Sequence, residues 1–168
     1  SGYIKNCYSS ATVIDQIANN TGKAGGIIGR VNGNASGSSI ENCYTSGDIN
    51  AIGGGNAGGI VGKVDGGKLV IKNCIAWNSM LVSTDKAKVG RIVGGTANAT
   101  YENCYAYDGM ILKAGEATFT VSDETSPSGS SFQGVAKSAN ELKNTVINWD
   151  SSLWKEGGNG YPVFKWSK

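Results

Sequence analysis

The chain of 168 residues has no histidine, two prolines and 17% charged residues. Without histidine there is no Ser-His-Asp or Cys-His arrangement for nucleophilic catalysis, and no His-Glu-x-x-His zinc motif. Two prolines exclude collagen and Pro-rich linkers. Low charge density matters too: the net charge is +2, and its lysines and arginines are scattered, whereas a nucleic-acid binder gathers them on one face. Nucleic acid is therefore not an expected partner. No run approaches the roughly 20 apolar residues of a membrane helix, and no basic segment followed by an apolar core marks a signal peptide. Ser1-Gly2-Tyr3-Ile4 enters directly into a strand-like pattern. The expectation is a chain that starts inside a repeat array, with any anchor elsewhere and no direct membrane insertion here.

What is abundant is glycine: 26 of 168 residues, about twice the usual ~7%. The glycines belong to a repeat. The four cysteines sit in matching settings, Ile4-Lys5-Asn6-Cys7-Tyr8, Ile40-Glu41-Asn42-Cys43-Tyr44, Ile71-Lys72-Asn73-Cys74-Ile75 and Tyr101-Glu102-Asn103-Cys104-Tyr105, at spacings of 36, 31 and 30. Between them fall Gly25-Gly26-Ile27-Ile28-Gly29, Gly58-Gly59-Ile60-Val61-Gly62 and Gly90-Arg91-Ile92-Val93-Gly94, at spacings of 33 and 32. Two independent landmarks share one period, the signature of a solenoid.

One unit holds three short apolar stretches, around Ile40–Tyr44, Asp48–Ile52 and Gly59–Val64, separated by turn residues. Each is too short for a stable helix and reads as a strand. Three strands and three turns make one coil. The expected fold is all-β: a right-handed parallel β-helix of about three to four coils over residues 1–115. Stacked in register at roughly 4.8 Å, Asn6, Asn42, Asn73 and Asn103 would form an amide ladder at a corner, where Asn tolerates left-handed backbone. Ile27, Ile60 and Ile92 would line the interior.

Residues 116–168 change character. Ser122–Ser131 reads as a polar loop containing Pro127. Ser138 and Glu141 form a capping box that should open a short helix, roughly Ala139–Thr145. Trp149, Trp154, Tyr161, Pro162, Phe164 and Trp166 follow. These read as a cap that plugs the open apolar end of the solenoid.

The Gly-apolar-apolar-Gly cores at Gly26–Gly29 and Gly59–Gly62, the diverged Arg91–Gly94, the recurring Asn-Cys-Tyr and the terminal Tyr161-Pro162-Val163-Phe164 together resemble the GLUG-repeat family. The resemblance covers roughly residues 3–115. It implies a secreted or surface protein of bacteria, extracellular or on the outer membrane, adhesin-like and part of a larger chain. Such repeats also accompany some immunoglobulin A peptidases, in which catalysis resembles that of zinc metalloproteases and resides outside the repeats. It implies no binding residues to carry over.

Three chemistries remain to be weighed. Stacked cysteines make a row, and a zinc site wants paired ligands in a tetrahedron. In-register Cβ atoms about 4.8 Å apart exceed the ~3.8 Å of a disulfide. Cys7, Cys43, Cys74 and Cys104 are therefore expected to be free, inward-facing thiols. Lys63 follows Gly62, but Ala57 and Val64 break a phosphate-loop pattern. The acids Glu41, Asp48, Asp65, Asp85, Glu102, Asp108, Asp123 and Glu124 are candidates for the carboxylate pair of a polysaccharide-degrading β-helix. Glu41 and Glu102, however, alternate with Lys5 and Lys72 at one repeat position, as a charge ladder would.

If the cysteines face inward, strand alternation sends Tyr8, Tyr44 and Tyr105 outward, with Trp77 and Tyr107 two residues beyond their row. Tyr44, Trp77, Tyr105 and Tyr107 are the candidate binding residues: an exposed aromatic strip that would stack on a glycan or anchor a host surface protein. No cofactor, metal or catalytic residue is expected, and the chain reads as a non-enzymatic module. A spacer presenting another domain is the competing reading. Asn19, Asn34 and Asn98 begin Asn-x-Ser/Thr triplets, which arise readily in such turns.

Overall fold

The computed structural model describes residues 2–32, 37–66, 68–95, 99–126 and 131–167. Asn34, Asn98 and Pro127 lie outside the described residues. The chain forms a β-solenoid of about four turns, with one helix near its C-terminus. Five stacks of strands run along it. Sheet 1 joins Tyr3–Lys5, Ser39–Glu41, Leu69–Lys72 and Ala99–Glu102. Sheet 2 joins Tyr8–Ser9, Tyr44–Thr45, Ile75–Ala76, Tyr105–Tyr107 and Val135–Lys137. Sheet 3 joins Val13–Asp15, Ile49–Ala51, Met80–Ser83 and Ile111–Ala114. Sheet 4 joins Lys23–Gly25, Asn56–Gly58 and Val89–Gly90, and sheet 5 pairs Ile28–Val31 with Val61–Val64. All of these pairings are parallel, and the repeat landmarks lie in register: Ile4, Ile40, Ile71 and Tyr101 stack, as do Gly25, Gly58 and Gly90.

The first two coils thus have five short strands each where the sequence suggested three. The reason is the Asn corner. Asn6, Asn42, Asn73 and Asn103 all adopt left-handed backbone, with φ of 50 to 53°, which ends one strand and starts the next. The kink also resets alternation, so that Ile40 and Cys43, three residues apart, both point into the core. The side-chain amides run as a ladder. Nδ2 of Asn42 donates to Oδ1 of Asn6 (3.2 Å), Asn73 to Asn42 (3.0 Å) and Asn103 to Asn73 (3.2 Å). Glycine serves the second kink. A Cβ on Gly59 would stand 2.5 Å from that of Ala76 and press on the carbonyl of Arg91.

The interior is apolar: Ile40, Ile60, Val61, Ile71, Ile92 and Val93 are buried. At the C-terminal end it is closed by residues 116–126 and 131–137. Ala117–Phe119 folds back antiparallel on Ile111–Ala114, and Val135–Lys137 adds a last parallel strand to sheet 2. Phe132 covers the opening. Its ring lies 4.0 Å from that of Tyr101, and its backbone bonds that of Ile92 and Val93. Arg91 stands where the earlier repeats have Gly26 and Gly59. Only here is there no further coil to collide with. Its guanidinium, nearly buried, donates to the carbonyls of Gln133 (3.1 Å) and Gly134 (2.8 Å) and to Asp123 (2.8 Å). The diverged repeat is the anchor of the plug.

Two outcomes test these assignments. Asn73→Ala should destabilise by about 3 kcal/mol, because alanine lacks the side-chain amide that lets asparagine tolerate left-handed backbone and because two ladder bonds are lost. Asn73→Gly should cost about half of that, since glycine tolerates the backbone. Urea unfolding measures both, and equal losses would show that the backbone demand is absent. The Arg91 guanidinium holds the Asp123 carboxyl below the usual carboxylate range. A depressed folded pKa contributes stability above about pH 4 that is lost as the pH falls through the folded value. Asp123→Asn should therefore flatten the acid limb of the stability curve.

Candidate functional site

The outward row of sheet 2 carries the predicted aromatics. Tyr8 aligns with Tyr44, Tyr44 with Ile75, and Ile75 with Tyr105. Tyr8 and Tyr44 stack at 5.3 Å with planes 7° apart. The cysteines point the other way, into the solenoid, so the phase expected from alternation holds. Their thiols bond backbone carbonyls, Cys43 that of Glu41 (3.2 Å), Cys74 that of Ile40 (3.5 Å) and Cys104 that of Ile71 (3.4 Å). All four are unbridged. Burial pushes the Cys104 thiol up to about 12 and that of Cys74 well above its ordinary value.

Exposure is where the strip departs from expectation. Tyr44 and Trp77 are 1% and 4% exposed, and Tyr105 and Tyr107 are half-buried. The cause is the C-terminal segment. Rather than plugging the end, residues 138–167 lie along the side of the stack as a strap. Helix α1 (Ala139–Trp149) opens with the expected capping box, Ser138 N donating to Glu141 Oε2 (2.9 Å). It runs one turn longer than expected, because Leu142 and Val146 both bury against the aromatic row. A hairpin of Trp154–Glu156 and Pro162–Phe164 follows. Trp154 is fully buried between Tyr44 (5.8 Å), Tyr8 (6.0 Å) and Phe164 (4.4 Å). The Tyr44 hydroxyl donates to the Pro162 carbonyl. Trp149 meets Trp154 edge-on at 6.1 Å, while Trp166 stacks on Phe164 and stays 66% exposed. The tryptophans thus cover a flank, and Phe132 fills the end.

One part of the row stays open. Where the strap's turn meets the solenoid, Trp77, Ser79, Tyr107, Ala139, Asn159, Gly160 and Tyr161 line a cleft of about 270 Å³. Tyr161 stands edge-on to Trp77 at 4.8 Å. Asn159 spends its carbonyl oxygen on the Tyr161 amide (3.3 Å), which aims its NH2 group outward. Among the described residues, no protein group bonds the hydroxyls of Tyr107 and Tyr161 or the Asn159 NH2 group. Sequence reasoning found Trp77 and Tyr107 and missed Asn159 and Tyr161. Their contribution depends on where the strap lands, although the aromatic richness of the tail was a signal that it pairs with another aromatic surface.

Three of the candidate carboxylates are held in ion pairs on the solenoid, and Asp123 is held by Arg91. Glu41 pairs with Lys5 (2.9 Å), Glu102 with Lys72 (2.8 Å), and Asp65 with Arg30 and Lys63 (2.5 Å each). Contact with Lys5 lowers the Glu41 pKa, and contact with Lys63 that of Asp65. Among the described residues no three His, Cys, Asp or Glu side chains converge as metal ligands, and no helix is long and apolar enough to cross a membrane.

Trp154→Ala should cost about 3–5 kcal/mol of strap stability and raise hydrogen exchange across residues 139–164. Sheet 1, which the strap does not touch, should keep its protection. Uniform loss of protection would show strap and solenoid to be one cooperative unit.

No protein-family model matches the chain, and no curated protein does. A solved structure does: the crystal structure of a "putative immunoglobulin A1 protease" from Bacteroides ovatus is 49% identical, with a TM-score of 0.88 over 99% of this chain. The match takes in 48% of that protein, so this chain spans about half the length of the relative it matches.

Proposed function

We propose that this chain is a non-catalytic, GLUG-type module of a larger bacterial surface protein, and that its cleft at Trp77, Tyr107, Asn159 and Tyr161 binds a glycan. The observation that carries this reading is the cleft. It presents the half-buried rings of Tyr107 and Tyr161, packed beside the buried Trp77, to the apolar side of a sugar ring, with two phenol hydroxyls and an amide NH2 group free for its hydroxyls. Sugar-binding sites combine those elements. The non-catalytic reading is supported by the missing histidine and by the ion pairs that hold Glu41, Asp65 and Glu102. The likeness to the Bacteroides ovatus protein supports a bacterial, extracellular setting. It also supports a role beside a protease, in which the module would hold glycosylated substrate or host surface near a catalytic domain carried elsewhere in the chain.

A panel of immobilised glycans and mucins tests this. The 168-residue chain should bind a subset of the panel. Tyr107→Ala and Tyr161→Ala should each weaken that binding about tenfold, the loss of one stacking contact of roughly 1.4 kcal/mol, with the folded circular-dichroism spectrum retained. Binding that survives both substitutions would move the site elsewhere. No binding across the panel would leave the spacer as the better account.

A further inference from the structure

Stacking gathers cations that the sequence scatters. Arg30 aligns with Lys63 in sheet 5. Lys23 and Lys88 precede Ala24 and Val89, which align through Ala57 in sheet 4, so the two lysines share one repeat position two coils apart. At ~4.8 Å per coil, that row is roughly 10 Å long. Sheets 4 and 5 meet at a seam: a Cβ on Gly29 would stand 2.6 Å from the carbonyl oxygen of Lys23. The close approach sets Lys23 and Lys88 on one side of the seam and Arg30 and Lys63 on the other. The four side chains lie on the flank of the stack, while Ala24, Val64 and Val89 beside them turn into the core.

The charges along the seam are not balanced. Asp65 is shared, 2.5 Å from both Arg30 Nε and Lys63 Nζ. The terminal NH2 groups of Arg30 have no acceptor among the described residues. The Lys23 ammonium donates to the carbonyls of Thr21 (2.8 Å) and Gly22 (2.9 Å), and the Lys88 ammonium to that of Gly54 (3.0 Å). Among the described residues neither lysine has a carboxylate within ion-pairing distance. Backbone carbonyls thus hold these ammoniums in place without cancelling their charge. Burial and, after it, the neighbouring Lys63 push the Lys23 pKa below its ordinary value; Arg30 and Lys88 repel it too, and Asp65 offsets part of this. Four cations set against one carboxylate leave a local charge of +3.

We infer that the seam binds an anionic polysaccharide, one carrying sulfate or carboxylate groups on successive sugars, laid along the stack across Lys23, Arg30, Lys63 and Lys88. The site lies on other sheets than the cleft and stands independently of it. Its ligand is specified by charge. Uncompensated cations repeated along the stack match a polymer that repeats its own anions along its length. Ammoniums already held by backbone carbonyls lower the ordering cost of binding. Nucleic acid fits less well. Its single strands are held by aromatic rings interleaved with cations, and no strand of sheets 4 and 5 carries an aromatic residue.

The test measures binding to immobilised dextran sulfate, polygalacturonate, uncharged dextran and single-stranded DNA at about 0.15 M salt, with variants first shown to keep the folded circular-dichroism spectrum. The 168-residue chain should bind at least one of the two anionic polysaccharides and ignore dextran. Binding to dextran sulfate alone assigns sulfate as the recognised group, binding to polygalacturonate alone assigns carboxylate, and binding to both assigns any anionic sugar. Lys23→Gln combined with Lys88→Gln should weaken that binding about tenfold or more and flatten its salt dependence. Lys23→Arg combined with Lys88→Arg should keep it within about threefold, because the charge remains. Asp65→Asn removes the compensating acid and should tighten binding about threefold, a gain that damage to the fold would not produce. Tyr107→Ala should leave it unchanged, which separates this site from the cleft. The proposal is overturned by a Gln pair that binds as well as the unsubstituted chain, by no binding to either anionic polysaccharide, by a folded Asp65→Asn chain that binds more weakly, or by DNA held more tightly than both polysaccharides.

Discussion

Everything in this protein depends on parallel, in-register hydrogen bonding from one coil to the next. Each coil is too thin to bury its own apolar side chains, so the core exists only between coils. Register forces like over like, and the sequence repeats because the geometry does. The Asn row shows the constraint at its tightest. A left-handed corner is needed at the same place in every coil, asparagine adopts it, and the stacking then gives each amide a neighbour to bond. Glycine could take the same φ but would leave the ladder empty. Stacking also explains the thiols. A side chain at that position must be small and apolar and able to sit under its own copy, and a buried sulfhydryl can still donate to a carbonyl of the adjoining coil.

A stack of this kind raises two problems that register cannot solve, its ends and its flanks. At the C-terminal end the answer is a change of residue at a repeat position. Gly26 and Gly59 have backbone pressed against them, so no side chain fits. At Arg91 the next coil is missing, and a long side chain reaches across to tie Asp123, Gln133 and Gly134 together. Along the flank, a row of tyrosines on two-residue strands would be a large exposed apolar surface. The strap removes most of it by laying Leu142, Val146, Trp154 and Phe164 over the row. The aromatic row then stays accessible at the place where the strap's turn leaves a gap.

The periodic part of this organisation was legible in the sequence because period is a local property that register makes global. The spacing of Asn-Cys and Gly-Gly gave the stacking, the inward cysteines and the Lys–Glu pairs of sheet 1. The five strands of the first two coils were not legible from apolar runs, because the run Ile40–Tyr44 contains no turn residue other than Asn42. Only its φ reveals the break. The covering of Tyr44 and Trp77 was not legible for a different reason. Alternation tells which side of its own strand a residue occupies, and says nothing about a segment about 60 to 120 residues later in the chain that settles on that side. Trp154 and Phe164 were visible as aromatics in need of a partner surface, and the tyrosine row was visible as a surface in need of a partner. Joining the two requires the length of the strap and the direction in which Ser138 launches its helix.

That same strap bears on the choice between binder and spacer. A spacer needs only a stable stack, and a fully covered flank would serve it best. Here the turn at Asn159-Gly160-Tyr161 stops short of closing over Trp77 and Tyr107, and its side chains complete a cleft instead of filling it. Asn159 directs its oxygen into the turn and its NH2 group away, an orientation fixed by the Tyr161 amide. A residue held in place by its own turn is preorganised, and holding a donor beside an aromatic edge before any ligand arrives lowers the ordering cost of binding. The rigid stack beneath contributes in the same way, since Trp77 and Tyr107 extend from strands locked on both sides by neighbouring coils. On the proposed reading, a cleft assembled from a strap and a scaffold suits recognition of a ligand that arrives attached to something large.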